Sequence, residues 1–91
     1  MWYVYILHCS DNSLYTGITT NLKARLLRHN SGKGARYTKF RRPVTLKYSE
    51  EFSSKSEAQN REIEIKSFGR QNKNQLIERG IGVKFPSALK V

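Results

Sequence analysis

Five side chains in this 91-residue sequence are of types that can act on a phosphodiester bond: Tyr5, Tyr15, Arg25, His29 and Glu62. Hydrolysis of that bond needs an activated water, charge stabilisation on the phosphate, a divalent metal or equivalent cation, and help for the leaving oxygen. Clusters of several Asp and Glu, the usual multi-metal solution, are missing, and the two histidines, His8 and His29, fall in different elements. Glu62 lies on the stripe Ala58, Ile65 and Phe68 of an amphipathic pattern, where an unpartnered carboxylate costs desolvation. Two readings fit it. Either it meets a metal or cation, or it sits at the edge of the stripe and reaches solvent or Lys66 at i+4. Arg25 and His29 are four residues apart and share a helix face, which suits phosphate contact or plain solvation. A phenol has a pKa of about 10 and is a weak base at neutral pH. Tyr5 and Tyr15 therefore pack in the sheet, or act beside a cation or metal, or orient a water. The Gly32-Lys33-Gly34 loop could cradle phosphate, but it lacks the Gly-Lys-Ser/Thr ending of an ATP-binding loop, which excludes a nucleotidase.

The elements that must position these residues follow from local pattern. Residues 2–9 and 14–19 are β-branched, aromatic and aliphatic, and the turn residues 10–13 join them as a hairpin. A three-residue loop at Asp11-Asn12-Ser13 puts Tyr15 opposite Cys9, on the sheet face of Tyr5; a two-residue loop puts it opposite His8, on the other face. Gly17 inside the second strand indicates a bulge or a close backbone approach. Thr20 or Asn21 caps a helix over 22–30, with Leu22, Leu26 and Leu27 on its buried side. A basic loop through Arg42 follows, then a strand at 44–52. Ser54-Lys55-Ser56-Glu57 is a capping box that starts a helix near 55, and Gly69 reads as its stop. A short helix over 71–79 carries Leu76 and Ile77. The order β-β-α-β-α-α gives an α+β domain over 1–80, a small mixed sheet with helices against it, and a tail over 81–91.

Charge narrows the partner. The chain carries 17 Lys plus Arg against 7 Asp plus Glu, a formal net charge of +10. Residues 12–49 hold nine bases and no acid, interleaved with Tyr37, Thr38 and Phe40. Cations for phosphate, backbone amides for oxygens and aromatics for bases make a nucleic-acid surface. Lys23, Arg28, Lys33, Arg36, Lys39, Arg41 and Arg42 are its candidate contacts. No basic helix with a broad apolar face indicates a membrane surface, and no apolar run approaches the roughly 18 residues of a span. Residues 2–7 are apolar but lack the flanks of a signal peptide. Cys9 is the only cysteine, which excludes an internal disulfide framework and fits a reducing, cytoplasmic setting.

Taken together, these residues resemble the GIY-YIG nuclease superfamily. Its first motif corresponds to Tyr3-Val4-Tyr5 and its second to Tyr15-Thr16-Gly17. Arg25 follows the second tyrosine by ten and forms R-x-x-x-H with His29; Ala58, Glu62 and Lys66 spell A-x-x-x-E-x-x-x-K. The stretch HNSGKGARYT at 29–38, with Arg42-Pro43, is similar to the small stand-alone bacterial branch, and the resemblance spans about 2–79. It implies a three-stranded antiparallel sheet flanked by helices and a single-metal phosphodiesterase. On that resemblance Glu62 would ligate one divalent ion, Mg²⁺ or alternatively Mn²⁺. Tyr5 would be the general base and Tyr15 would orient water or phosphate, roles the two could exchange. Arg25 would stabilise charge on the phosphate, with His29 assisting. The chain departs from the pattern in reading Tyr-Val-Tyr for Gly-Ile-Tyr. Many relatives also carry an Asn after the metal Glu, for which Asn72 and Asn74 are in range.

The expected function is a metal-dependent endonuclease on DNA in preference to RNA, structure-directed or guided by a protein partner, and linked to repair or recombination. The alternative is a noncatalytic DNA- or RNA-binding module, or an accessory subunit of a larger assembly.

Overall fold

The structure is a computed structural model and describes residues 1–79. The tail expected over 81–91 lies outside the described residues. Three strands form one antiparallel sheet in the order β2-β1-β3: β1 is Trp2–His8, β2 is Leu14–Thr19 and β3 is Thr45–Phe52. The sheet is therefore not mixed, as the strand pattern alone suggested. Helices α1 (Leu22–Asn30) and α2 (Arg36–Lys39) lie between β2 and β3 in sequence; α3 (Lys55–Lys66) and α4 (Arg70–Arg79) follow β3.

Because β1 is central, both of its faces are covered, and alternate residues feed two cores. Tyr5, Leu7 and Cys9 pack with Leu22, Val44 and Leu46, with Tyr15 and Leu26 alongside. Val4 and Ile6 pack on the opposite face with Tyr48, Ala58 and Ile65, joined by Phe68, Leu76 and Ile77. A bulge at Lys47 shifts the β1–β3 register between Ile6 and Leu7. Leu27, placed on the buried side of α1 by its neighbours, is instead exposed, one position round from Leu26.

The hairpin register differs from both alternatives. The amide of Cys9 donates to the Ser13 carbonyl at 2.9 Å, so the three loop residues are Ser10-Asp11-Asn12. Asn12 takes φ +69°, the left-handed position that a three-residue hairpin loop needs. Tyr15 then pairs with Leu7 and not Cys9. A displacement of two residues preserves parity, so Tyr15 still shares the face of Tyr5.

Helix ends are chemically set. The Asn21 side-chain oxygen accepts from the Ala24 amide at 3.0 Å, and Ser54 caps α3 on the Glu57 amide at 3.3 Å. Helix α1 stops in a Schellman turn: Gly32 at φ +83° donates to the His29 carbonyl and Lys33 to the Arg28 carbonyl. Helix α3 ends differently from expectation. Its C-cap is Ser67 in a right-handed conformation, and Gly69 lies beyond it without a left-handed φ. Helix α2, inside the expected basic loop, is a single turn without a side-chain cap.

Candidate active site

Gly17 pairs with Tyr5 across the β1–β2 ladder. A Cβ on Gly17 would stand 2.5 Å from the Tyr5 oxygen and 2.7 Å from Cζ. The close approach expected at this glycine is therefore made by the tyrosine ring, which lies flat over the edge strand. The Tyr5 hydroxyl meets Nε2 of His29 at 2.9 Å. Nδ1 of His29 meets the Thr38 hydroxyl at 2.7 Å, and that hydroxyl donates to the Ala35 carbonyl at 3.0 Å.

Two proton arrangements satisfy these contacts. With the Thr38 proton on the Ala35 carbonyl, Thr38 accepts from Nδ1–H and Nε2 accepts from the Tyr5 hydroxyl. With Nδ1 accepting from the Ala35 amide at 3.5 Å, Nε2–H donates to the Tyr5 oxygen instead. A Cβ on Gly34 would stand 2.4 Å from Nδ1, so only glycine lets the loop close over the imidazole.

Tyr15 completes an aromatic cluster. Its ring centroid lies 6.4 Å from Tyr5 and 5.2 Å from His29, and Tyr37 stacks on its outer side at 5.8 Å. Arg25, one turn before His29, lines a polar cleft of about 280 Å³ with Tyr15, Arg28, His29 and Lys33. Glu62 comes from α3, which packs on the opposite sheet face through Ala58 and Ile65. Burial first, then Tyr15, push the Tyr5 phenol up to about 12; Arg25 acts to lower it and Glu62 to raise it. The carboxyl of Glu62 is largely buried at 20% exposure, and Lys66 stands 3.4 Å away. Of the two sequence readings, the pairing with Lys66 at i+4 is the one these contacts match.

Among the described residues no group of three or more His, Cys, Asp and Glu could hold a metal. A single carboxylate nevertheless suits Mg²⁺, which binds through one or two carboxylates plus substrate phosphates and keeps several waters. Asn72 and Asn74 are exposed on α4.

The basic residues divide in use. Lys23, Arg28, Lys33, Arg36, Lys39 and Arg42 are exposed. Arg41 is engaged, with Nε donating to Asp11 at 2.9 Å, Nη1 donating to the Tyr37 carbonyl at 2.7 Å, and its guanidinium 4.1 Å from the Tyr37 ring. Sequence reasoning missed Thr38 and Gly34 as supports of His29, since neither residue type announces itself in a loop. It also missed a bracket behind Glu62. Arg61 donates to Glu50 at 3.0 Å and also pairs with Glu64, while Glu50 accepts from the Tyr48 hydroxyl. The signal was available, because Arg61 falls on the buried turn of the α3 stripe.

Burial holds the pKa of His29 below its ordinary 6.5, and Arg25 and Arg28 add to the effect. The unfolded chain takes up this proton near 6.5, the folded chain only at lower pH. Stability from this group is therefore complete above 6.5 and lost as pH falls through the lowered value. Urea unfolding between pH 8 and 5 should show a decline below about 6.5 that is shallower in His29→Gln. Equal slopes in the two proteins would contradict a neutral buried imidazole.

Known proteins give the same picture. The GIY-YIG catalytic domain model matches residues 1–75. A UPF0213 protein of Staphylococcus haemolyticus is 67% identical over 76 residues, covering 84% of this chain and 93% of that protein. A UPF0213 protein of Haloquadratum walsbyi is 51% identical over 84 residues, covering 92% and 94%. The solution structure of the UPF0213 protein BH0048 from Bacillus halodurans is 48% identical with a TM-score of 0.56, covering 86% of this chain and 84% of that one. With its three-stranded antiparallel sheet and both tyrosine motifs on one face, this chain belongs to the GIY-YIG family, among the small stand-alone UPF0213 proteins.

Proposed function

We propose that this protein is a metal-dependent endonuclease that hydrolyses phosphodiester bonds in DNA, acting in the cytoplasm on structured substrates of repair or recombination. The observation that carries the reading is the meeting of Tyr5, Tyr15 and His29 beside a basic cleft that Arg25 lines; Glu62 joins them by its place in the family motif. Residues 1–80 act as one domain, and catalysis and DNA binding share its one cationic face.

Each residue has a task that its surroundings support. With its pKa near 12, Tyr5 rests as a phenol and not as a phenolate. Its hydroxyl lies 2.9 Å from His29 Nε2, and in the tautomer with the proton on Nδ1 it can pass its proton there as it receives one from an attacking water. His29 is neutral at pH 7 and aligned by Thr38, and it is the proton's destination. Tyr15 orients the water or the phosphate. Arg25 meets the charge that develops on the phosphate oxygens. Glu62 holds the Mg²⁺ or Mn²⁺. When bound, that ion stabilises charge on the phosphate and on the leaving oxygen.

The 3.4 Å contact of Lys66 with Glu62 favours the second reading, a noncatalytic nucleic-acid-binding module, because an ammonium there competes with a metal. One experiment separates them. The purified protein is incubated with branched, nicked and single-stranded DNA, with and without Mg²⁺ or Mn²⁺. Metal-dependent cleavage that drops by roughly a hundredfold or more in Arg25→Ala and in Glu62→Gln supports the enzyme. Salt-sensitive binding without cleavage supports the module.

A further inference from the structure

Phe40 is the most exposed large apolar side chain among the described residues, at 84%. It closes α2, two residues after Thr38, whose hydroxyl meets His29. Its surroundings are cationic and fixed. The Lys39 ammonium lies 5.5 Å from the ring centroid. Arg42 donates through Nε to the Lys39 carbonyl at 2.9 Å and through Nη1 to the Asn30 carbonyl at 3.3 Å, which fixes its guanidinium. Asn30 is itself clamped to the Val44 backbone, donating to its carbonyl at 3.1 Å and accepting from its amide at 2.7 Å. Together with Pro43 these residues line a hollow of about 530 Å³.

The aromatic nearest in sequence is not available in this way. Tyr37 is stacked between Tyr15 and the Arg41 guanidinium. Of the two, Phe40 alone offers a free ring face. A membrane would need a broad apolar surface, and this ring is isolated among cations. A planar base with an attached phosphate satisfies both the ring and the charges.

We infer that Phe40 is a stacking platform for an unpaired nucleobase, with Lys39 and Arg42 holding the adjoining phosphate. The favoured DNA therefore carries unpaired nucleotides next to the site of action, as a flap or gap does. A fully paired duplex keeps its bases stacked on one another and offers none to the ring. This inference rests on the DNA reading above and specifies its substrate.

The test uses two labelled DNAs of equal length in metal-free buffer. One is a duplex with a single-stranded flap containing 2-aminopurine, and the other is fully paired. Binding by wild type, Phe40→Ala and Phe40→Trp is followed by anisotropy, and stacking by 2-aminopurine emission. Phe40 is exposed, so neither variant disturbs the core. Phe40→Ala should weaken flap binding by roughly five- to a hundredfold, leave duplex binding unchanged, and abolish the quenching of 2-aminopurine. Phe40→Trp should restore both signals. Equal losses on both DNAs, or no loss on either while wild type binds, overturn the stacking role and leave the nuclease reading standing. Failure of wild type to bind either DNA overturns both.

Discussion

Gly17→Ala is expected to reduce cleavage by roughly a hundredfold or more, though the change adds only one methyl group to an edge strand. In a strand this substitution ordinarily helps, because alanine loses less backbone freedom than glycine on folding. Here the new Cβ would stand 2.5 Å from the Tyr5 oxygen and 2.7 Å from Cζ, closer than such atoms can approach. The ring must lift off β2, and its hydroxyl then leaves His29 Nε2. Overpacking of this kind costs about 1–3 kcal/mol, which outweighs the gain of under about 1 kcal/mol from chain entropy. The pairing can be isolated by a double-mutant cycle. On a Tyr5→Leu background, where the phenol is gone, Gly17→Ala should cost little or nothing in urea unfolding. Full cleavage by the single variant would show that the phenol's seat on Gly17 is irrelevant to the reaction.

The second large effect lies behind the helix that carries Glu62. Arg61→Met should lower stability by about 2–3 kcal/mol, placing the melting temperature about 8–20 °C below wild type. The cation is 24% exposed and Glu50 17%, so the loss should fall short of that for a fully buried pair. Removing Arg61 strands the Glu50 carboxylate on a sheet face that also holds the Tyr48 hydroxyl. Burial, then Glu50, hold that phenol well above its ordinary pKa, so it stays protonated and goes on donating to Glu50 but brings no positive charge to replace Arg61. Burial alone would lower the pKa of Arg61, but Glu64 and Glu50 raise it further, so the guanidinium stays charged throughout. Combining Arg61→Met with Glu50→Gln should recover much of the loss, since no unpaired charge then remains. A melting temperature within a degree or two of wild type for Arg61→Met would remove the bracket from the account of α3.

Much of this was readable in the sequence because the relevant forces are local. Asn21 and Ser54 cap the helices that their side-chain chemistry announced. The strand pattern held, and with it the shared face of Tyr5 and Tyr15, because alternation in a strand survives a shift of two residues. What local patterning cannot carry was misplaced. The hairpin slid because Asn12 accepts a positive φ and so moved the turn by one residue. Helix α2 is too short to show a period. Leu27 is apolar but lies round the corner from Leu22 and Leu26. At the site, motif spacing named Tyr5, Tyr15, Arg25, His29 and Glu62; the fold groups Tyr5, Tyr15 and His29, lines one cleft with Tyr15, Arg25 and His29, and pairs Glu62 with Lys66. The second layer was invisible. Thr38, Gly34 and the pairing of Arg61 with Glu50 depend on contacts between distant elements, and only three-dimensional packing creates them.

The position of Glu62 in the chain has a consequence for the order of synthesis. Tyr5, Tyr15, Arg25, His29 and Thr38 all precede β3 in the chain, while Glu62 follows it. A ribosome therefore delivers the cationic cleft first and the carboxylate last. Glu62 can take its place only once β3 has joined β1 and α3 has docked on the far face. On the proposed reading, an incomplete or prematurely terminated chain can hold DNA but cannot cut it. The hazard of a nuclease in the cell is thereby confined to molecules whose fold is finished.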